Sequence, residues 1–490
     1  MPTLFKTLRN ATIAIVLTAT SPAYANPVTV DWQAAAKQDI RFAIDSIRDR
    51  HAGAVSQQLN VTVPLEIGAR VGLVEAEKVR TEQDYRRLMQ RFISGFGDPH
   101  TGIDVHLKTR AWTGLMLDHI DGQYRVVWSE QGWPTPLPPK GAIVQSCDDV
   151  WVGTYLQSNV APFVNHSVEY PTTFSELARK VMFDTGLGWT PAQCLFQLAD
   201  GKHQRFALPL RQVSDGIGID KIIAVRAQVA AKAKPVGLYP LAEGIQWVGM
   251  PNFDGQSSGT AYEALYRQLA ALDKTDWIVF DLRGNGGGDS SWGNRALQAV
   301  YGKAYGEALG ENASYAKAMI ADQATVDLFK RFVSQPEYAA SREEFKAAIS
   351  KLEAALREGK KMAQVEAIAP DTAAAHLAQY RVRPSGPRMA AVIDRGCFSS
   401  CMNFLLQITA VTDTVVLGEP TIGYSPYGEI NRFDLPSGQG ALYIASAVYT
   451  SFQAAREPFI PNFTYSGNMA STEELMHWVG TTLKNLAPRR

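Results

Sequence analysis

The sequence predicts a mixed α/β protein in which a helical N-terminal segment and a β-rich domain precede an α/β core. Beyond about residue 214, short apolar runs typical of buried strands alternate with helical segments, which is the pattern of a sheet covered by helices. Between residues 112 and 213, short runs of alternating apolar residues are interrupted by Gly and Pro. Between residues 31 and 98, apolar side chains recur at helical spacing.

The first 25 residues have the features of a secretory signal peptide. Lys6 and Arg9 supply a positive start, the stretch from Ala11 to Ala19 is apolar, and Ala23-Tyr24-Ala25 is an A-x-A cleavage motif. The apolar stretch is shorter than the roughly 20 residues that a membrane-spanning helix needs. We therefore predict cleavage after Ala25 and a periplasmic or secreted mature protein without a stable membrane span.

The overall charge argues against nucleic acid as the main partner. The chain contains 48 Lys and Arg residues and 48 Asp and Glu residues, so its formal net charge is 0. Proteins that bind nucleic acid or an anionic membrane surface use an excess of basic residues to do so. We expect a partner of another class.

Four cysteines can form disulfides in an oxidising compartment. Three connectivities are open to them, and the sequence does not select one. The pairing that we favour joins Cys147 to Cys194 and Cys397 to Cys401. A zinc site is the rival interpretation, but the sequence has no C-x-x-C pair and no H-E-x-x-H motif. We predict that the protein uses neither a metal nor another cofactor.

The domain organisation follows from these changes in pattern. We assign residues 26–111 to the helical segment, 112–213 to the β-rich domain and 214–490 to the core, with a helical insertion at 302–383. That insertion is charged and amphipathic, and it forms either a surface elaboration or a lid. The predicted core strands are Ile245 to Val248, Ile278 to Phe280, Ala390 to Ile393, and Val415 to Leu417.

Two local signals place helix boundaries. Thr81 and Asp84 form a capping box, and the helix that follows is expected to end near Gly95. In the insertion, Ser341 is expected to begin a helix that Gly359 ends.

A glycine-rich string follows the predicted strand at Ile278 to Phe280. It runs from Asp281 to Gly288 with the sequence DLRGNGGG. Glycines at the end of a strand let backbone N–H groups approach a ligand closely. That ligand is either a phosphate or a developing oxyanion. Because no Lys-Ser/Thr pair follows and the spacing is not G-x-G-x-x-G, we favour an oxyanion hole; a flexible turn is the alternative without a function.

A second string, from Asp394 to Asn403, carries two serines between a predicted strand and a predicted helix. Ser399 would lie close to free N–H groups and to the positive end of the helix dipole, a position that suits a nucleophile. The simpler interpretation is that Ser399 or Ser400 only caps the helix. A nucleophilic serine also needs a base. His100, in the turn Gly97-Asp98-Pro99-His100-Thr101, is the candidate, although a loop histidine is often only solvated.

Together these strings resemble the tail-specific, or C-terminal processing, serine peptidases (S41 type), including their tricorn-like branch. The resemblance rests on the order of four segments: 97–101, 281–288, the surroundings of Ser399, and Gly418-Glu419-Pro420-Thr421-Ile422-Gly423. It implies a catalytic core related to the Clp-protease (ClpP) and crotonase folds. It also implies a PDZ-like domain at 112–213 and protein or peptide substrates.

The resemblance allows two catalytic designs. One uses a lysine base directly after the G-E-x-T-x-G string, but Tyr424 occupies that position here, and no replacement lysine lies close by in the sequence. The tricorn-like design uses a histidine and a downstream glutamate, which His100 and Glu457 match. The tail after Glu457 departs from the family pattern at Ile460 and Asn462.

The resemblance therefore implies Ser399 as nucleophile, His100 as base and Glu457 as the group that orients the imidazole. The N–H groups of Gly287 and Ser400 are the candidates for the oxyanion hole. Ser425 is a weaker alternative nucleophile, because Pro426 would disrupt a nucleophile elbow. Two other functions stay open: an inactive protein that binds peptide termini through the PDZ-like domain, and an esterase on the same fold.

Overall fold

A computed structural model describes residues 30–165, 170–230, 233–311, 316–382, 384–423, 425–450 and 458–486. The predicted signal peptide, Tyr424 and Glu457 lie outside these ranges. The chain from Trp32 onward forms one compact unit. No helix in the described ranges has the length and apolar character needed to cross a bilayer.

Four helices build the N-terminal segment, as predicted. The capping box at Thr81 and Asp84 is present, and the helix that it begins ends at Ser94, with Gly95 as the C-cap. The helices are α1 (Trp32–Arg50), α2 (Ala52–Val55), α3 (Leu59–Ala76) and α4 (Glu82–Ser94). The short strand β1 (Gly102–Asp104) follows this segment and belongs to a sheet of the C-terminal half, where Gly102 pairs with Tyr443.

The β-rich region also contains helices. Its main sheet has the order β3-β4-β5-β8-β9, with β6 beside β5, and a smaller sheet has the order β10-β2-β7. The elements are β2 (Ala111–Trp112), β3 (Leu115–Ile120), β4 (Gln123–Ser129), β5 (Ile143–Cys147), β6 (Val150–Trp151), α5 (Val152–Asn159), α6 (Pro171–Val181), β7 (Phe183–Asp184), β8 (Gln193–Gln197), β9 (His203–Ala207), β10 (Arg211–Gln212) and α7 (Ile219–Val229). The predicted pairing of Cys147 with Cys194 is confirmed, and this disulfide joins β5 to β8.

The core is a six-stranded sheet of order β11-β12-β13-β16-β17-β20, in which only the edge strand β11 runs antiparallel. All four predicted core strands are confirmed. The elements are β11 (Gly237–Ala242), β12 (Ile245–Gly249), α8 (Gly255–Ala270), β13 (Trp277–Asp281), α9 (Ser291–Tyr301), α10 (Lys303–Glu311), β16 (Arg388–Ile393), α14 (Ser400–Thr409), β17 (Val415–Gly418), β20 (Phe463–Thr464) and α15 (Thr472–Lys484).

Side-chain alternation on the strands explains why helices cover both faces of this sheet. Ile278 and Phe280 of β13 lie in a core with α8, α9 and α14, whereas Trp277 and Val279 lie in a second core with α15. A central parallel strand that is buried on both faces is a nearly continuous apolar run, as β13 is from Trp277 to Phe280.

The segment 302–383 contains strands in addition to the predicted helices. It adds α10, β14 (Ala316–Ile320), α11 (Gln323–Ser334), α12 (Arg342–Arg357), β15 (Met362–Ala367) and α13 (Pro370–Tyr380). β14 pairs with β19 (Ala441–Thr450), which also pairs with β1 and β18 (Tyr427–Asp434). The segment is thus not helical throughout, because two of its strands extend a five-stranded sheet that also holds β1.

A buried ion pair fixes the start of the glycine-rich string. The Arg283 guanidinium donates to both carboxylate oxygens of Asp281 at 2.8 Å and to the carbonyl oxygen of Met469 at 2.7 Å. The side chains of Arg283 and Asp281 are both 0 % exposed. The pair therefore joins the end of β13 to the segment that leads into α15.

We expect Arg283→Met to lower the free energy of unfolding by about 3–5 kcal/mol, because the substitution leaves the buried Asp281 carboxylate without its cationic partner. Urea denaturation followed by circular dichroism measures this change. Lys346→Met is the control, since it removes an ion pair with Glu343 whose side chains are 53 % and 84 % exposed. Equal effects of the two substitutions would contradict the role assigned to Arg283.

Candidate active site

The two predicted functional strings meet at one edge of the core sheet. They follow β13 and β16, which are parallel neighbours, so both turns leave the sheet at the carboxyl ends of their strands. The N–H of Phe398 donates to the carbonyl oxygen of Asn285 at 3.0 Å, which joins the two turns directly.

Asp394 holds the two turns in register. Its Oδ1 accepts hydrogen bonds from the N–H groups of Gly284 and Gly396, each at 2.9 Å. Burial raises the pKa of Asp394, and these two hydrogen bonds act against that rise. A Cβ on Gly396 would lie 2.7 Å from the Cα of Gly284, so only glycine permits this approach of the two backbones.

Gly287 lies directly against the predicted nucleophile. A Cβ at Gly287 would lie 2.7 Å from the Cβ of Ser399 and 2.9 Å from the backbone nitrogen of Ser400. The φ of Gly287 is 102°, a value that side-chain-bearing residues rarely adopt. The glycine-rich string and the serine turn therefore form one site.

Ser399 has the strained backbone often found at functional positions. It precedes α14 with φ 55° and ψ −123°, and its hydroxyl makes no capping hydrogen bond. The Ser400 hydroxyl instead donates to the carbonyl oxygen of Gly288 at 2.5 Å. The simpler interpretation of either serine as a side-chain cap of α14 is therefore wrong. The predicted Cys397–Cys401 disulfide is confirmed and brackets Ser399.

The structure brings His100 to this turn from the opposite end of the sequence. The imidazole of His100 packs against the ring of Phe398, with a centroid distance of 4.6 Å. His100 is 8 % exposed, and its Nδ1 has no hydrogen-bond partner among the described residues. Residues 98–101 are held in place because β1, which follows them, pairs with β19.

Asp98 organises the loop that carries His100. Its carboxylate accepts three hydrogen bonds: from the backbone N–H of His100 at 3.1 Å, from the Thr101 hydroxyl at 2.7 Å and from the Ser425 hydroxyl at 2.6 Å. His51 adds a further contact, with its Nε2 at 2.9 Å from the Thr101 hydroxyl oxygen. The buried hydroxyl of Ser425 is therefore hydrogen-bonded to Asp98, which is a structural role.

Burial lowers the pKa of His100 below the ordinary value of 6.5. The negative charges of Asp98 and Glu429 act in the opposite direction, since they favour the imidazolium. The imidazole is consequently neutral near pH 7, the form that can accept a proton. The unfolded chain binds this proton more readily, so acidification below pH 6.5 progressively lowers the stability of the fold until the pH reaches the lower pKa of His100 in the folded state.

A buried polar cluster next to His100 was missed by the sequence analysis. The carboxylate of Glu429 on β18 accepts hydrogen bonds from Lys317 Nζ and from the Tyr449 hydroxyl, each at 2.9 Å. The side chains of Lys317 and Glu429 are only 7 % and 17 % exposed. Burial would raise the pKa of Glu429, but the charge and hydrogen bond of Lys317 hold it below its usual value.

No sequence signal pointed to this cluster, because Lys317 lies 112 residues before Glu429 in the chain. Lys317 lies on β14 opposite Tyr449 of β19, within the segment that the sequence analysis treated as an insertion. Glu429 has a φ of 55° in the middle of a strand, which marks a second strained residue near His100.

The two predicted oxyanion donors differ in their surroundings. Ser400 is the first residue of α14, so its N–H has no acceptor one turn earlier in that helix. The N–H of Gly287 donates to Oδ1 of Asn285 at 2.9 Å. Gly287 can serve as a donor only if it shares or exchanges this hydrogen bond.

The position of Glu457 is not among the described residues, but the chain that follows it is anchored near the site. The N–H of Phe459 donates to the Thr421 hydroxyl at 2.9 Å, and the N–H of Thr421 donates back to the carbonyl oxygen of Phe459 at 3.1 Å. Within the described ranges, no group of three or more His, Cys, Asp or Glu residues could hold a metal ion.

Comparison with known structures gives the fold. The chain superposes on mature CPAF complexed with lactacystin with a TM-score of 0.64 at 11% identity, covering 93% of this chain and 100% of that one. It superposes on mature CPAF with a TM-score of 0.62 at 12% identity, covering 93% and 98%. No family model matches the sequence, and no curated protein does. The chain therefore has the same fold as mature CPAF.

We expect Glu429→Gln to lower the pKa of His100 further, because it removes a negative charge that favours the imidazolium. An NMR titration of the protein labelled at histidine Cε1 follows this pKa, and His100→Asn assigns the resonance. Glu343→Gln is the control, since it neutralises a glutamate whose side chain is 84 % exposed. An unchanged or raised pKa in Glu429→Gln would show that Glu429 does not act on His100.

Proposed function

We propose that this protein is an exported serine peptidase in which Ser399 is the nucleophile, His100 the base and Glu457 the group that orients the base. The observation that carries the proposal is the meeting of three predicted elements. Gly287 contacts Ser399, and the residue next to Ser399 packs on His100 with a centroid distance of 4.6 Å. Three segments that are far apart in the chain thus meet at the turn that carries Ser399.

In the first half of the proposed reaction, the Ser399 hydroxyl oxygen attacks the carbonyl carbon of a peptide bond. Neutral His100 takes the hydroxyl proton as the new C–O bond forms, and it then gives that proton to the leaving amine as the C–N bond breaks. The product is an acyl-enzyme on Ser399 and a free amino terminus. The lowered pKa of His100 supports this role, since an imidazolium could not accept the proton.

The negative charge on the tetrahedral intermediate develops next to the start of α14. The N–H of Ser400 and the positive end of the helix dipole favour an oxyanion there. Gly287 is the second candidate donor, after exchange of its hydrogen bond with Asn285. Because both groups are part of the backbone, little reorganisation is required as the charge forms.

Water completes the cycle by attacking the acyl carbonyl carbon while His100 accepts a proton from the water. His100 then returns that proton to the Ser399 oxygen as the acyl C–O bond breaks, which releases the product with a free carboxyl group and restores the serine. An imidazole that alternates between neutral and charged forms needs an acceptor on its second nitrogen. The buried Nδ1 of His100 has no such partner among the described residues. We assign that role to Glu457, which precedes the anchored Phe459 by two positions.

A pocket of about 330 Å³ lies beside the serine turn, and we propose that it admits the substrate. It is lined by Glu176, Arg179, Lys180, Arg395, Phe398 and Ile422, so it lies between α6 of the β-rich region and the serine turn. We propose that the β-rich region acts as a PDZ-like domain that presents peptides to the pocket. The two disulfides and the predicted signal peptide support export.

We expect Ser399→Ala and His100→Ala each to reduce kcat/KM for peptide cleavage by about 10³-fold or more, since each removes a reacting group. Digestion of a mixed peptide library, followed by mass spectrometry, measures cleavage and reports specificity. Ser400→Ala is the matched control; it removes a neighbouring hydroxyl that is bound to Gly288, and we expect cleavage to persist.

Two outcomes would redirect the assignment. If the parent protein hydrolyses activated esters but leaves every peptide intact, the esterase alternative replaces the peptidase. If the parent protein is inert toward both substrates and a fluorophosphonate probe does not label Ser399, the binding-protein alternative is favoured.

We expect the double variant Cys397→Ala/Cys401→Ala to lose about tenfold or more in kcat/KM, because the bridge restrains the turn on which the nucleophile must be positioned. The control is Cys147→Ala/Cys194→Ala, whose bridge spans 47 residues in the β-rich region. The control should lower the free energy of unfolding by about 2–4 kcal/mol and leave cleavage by the folded protein intact. Full activity without the Cys397–Cys401 bridge would contradict this role.

A further inference from the structure

Helix α3 has two apolar faces, and the described residues cover only one of them. Val61, Leu65, Gly72 and Ala76 are buried against the rest of the N-terminal segment. The close fit continues at Gly68 and Gly72, where an added Cβ would lie 3.0 Å from side chains of α4 and α1. This buried face accounts for the attachment of α3 to the fold.

The second face of α3 is an exposed apolar stripe. It consists of Leu59, Val63, Ile67, Val71 and Val74, which are between 47% and 75% exposed. Their spacing of four, four, four and three residues places them on one side of the helix over about 23 Å. In the described part of the chain, no other helix exposes such a row of large apolar side chains.

Charged residues are sparse on this helix. Glu66, Arg70 and Glu75 are its only charged side chains. A helix that lies on a membrane surface usually has many Lys and Arg residues on its polar face. Helix α3 contains one, which argues against a lipid surface as the occupant of the stripe.

We propose that the stripe on α3 binds the same stripe of a second copy of this chain, in an antiparallel arrangement about a two-fold axis at Ile67. The stripe is nearly symmetric about this residue, since Val63 and Val71 lie four positions before and after it. Leu59 and Val74 lie eight and seven positions away. Antiparallel pairing thus places Val63 of each copy opposite Val71 of the other, as a self-complementary interface requires.

The charges beside the stripe agree with this arrangement. Glu66 and Arg70 lie on the same flank of α3, and both are exposed. A two-fold axis at Ile67 brings Glu66 of each copy within two residues, or about 3 Å along the axis, of Arg70 of the other copy. Two opposite-charge pairs therefore flank the apolar contact.

The oligomeric state of the purified protein tests this proposal without reference to its activity. Light scattering after size exclusion, between 1 and 100 μM, should give twice the monomer mass for the parent. Ile67→Glu should give a monomer, because two like charges would meet at the two-fold axis. Ile223→Glu is the matched control, since Ile223 is 57% exposed on α7 and Ile67 is 60% exposed; that variant should remain dimeric.

Two further variants test the geometry. Ile67→Cys should form an intermolecular disulfide on mild oxidation, because a residue on the two-fold axis meets its own copy. Val74→Cys should not, since its two copies would be separated by about 20 Å along the axis. Glu66→Arg should weaken the dimer, and Glu66→Arg combined with Arg70→Glu should restore it.

Three results would overturn the proposal. The first is a monomeric parent at 100 μM, and the second is a dimer that persists in Ile67→Glu. The third is binding of the parent to vesicles of anionic phospholipid that is lost in Ile67→Glu, which would identify a lipid surface as the occupant.

Discussion

The candidate site depends on the close contact between two turns at the carboxyl edge of the core sheet. The Asp394 carboxylate accepts hydrogen bonds from backbone N–H groups of both turns. Gly287 and Gly396 have no side chains, so the two backbones can come into contact. This contact constrains the position of Ser399, whose φ of 55° is maintained by the structure around it. Parallel pairing of β13 with β16 brings the turns together, so the packed sheet supports the strained backbone.

The β-rich region is tied to the same turn through charge. The carboxylate of Asp118 on β3 accepts a hydrogen bond from the Arg395 guanidinium at 3.1 Å and another from the Arg179 guanidinium at 2.6 Å. Burial would raise the pKa of Asp118, but the two guanidinium groups hold it below its usual range. Because Arg395 lies four residues before Ser399, the region that we propose to present peptides contacts the turn that would cleave them.

His100 depends on a different set of neighbours. The strand that follows it pairs with β19, and β19 also pairs with β14 from the segment 302–383. That segment thereby supplies Lys317, which neutralises part of the charge that Glu429 directs at His100. Helix α3 reaches the same region, since Asn60 Oδ1 accepts from the Tyr427 hydroxyl at 2.9 Å. His51, which caps α2, contacts Thr101 in the loop that would hold the base, so the N-terminal helices support that loop directly.

The sequence by itself determined the local elements and the candidate residues Ser399 and His100. The apolar run of β13, the capping box at Thr81 and the glycines after Asp281 are signals that depend on neighbours in the chain, so they could be read directly. Tertiary structure decided what no local pattern encodes: the contact of His100 with Phe398, the cluster around Glu429, and the strands within 302–383. Each of these features depends on at least one contact between residues more than a hundred positions apart, and only the pairing of distant strands and the packing of turns makes such contacts.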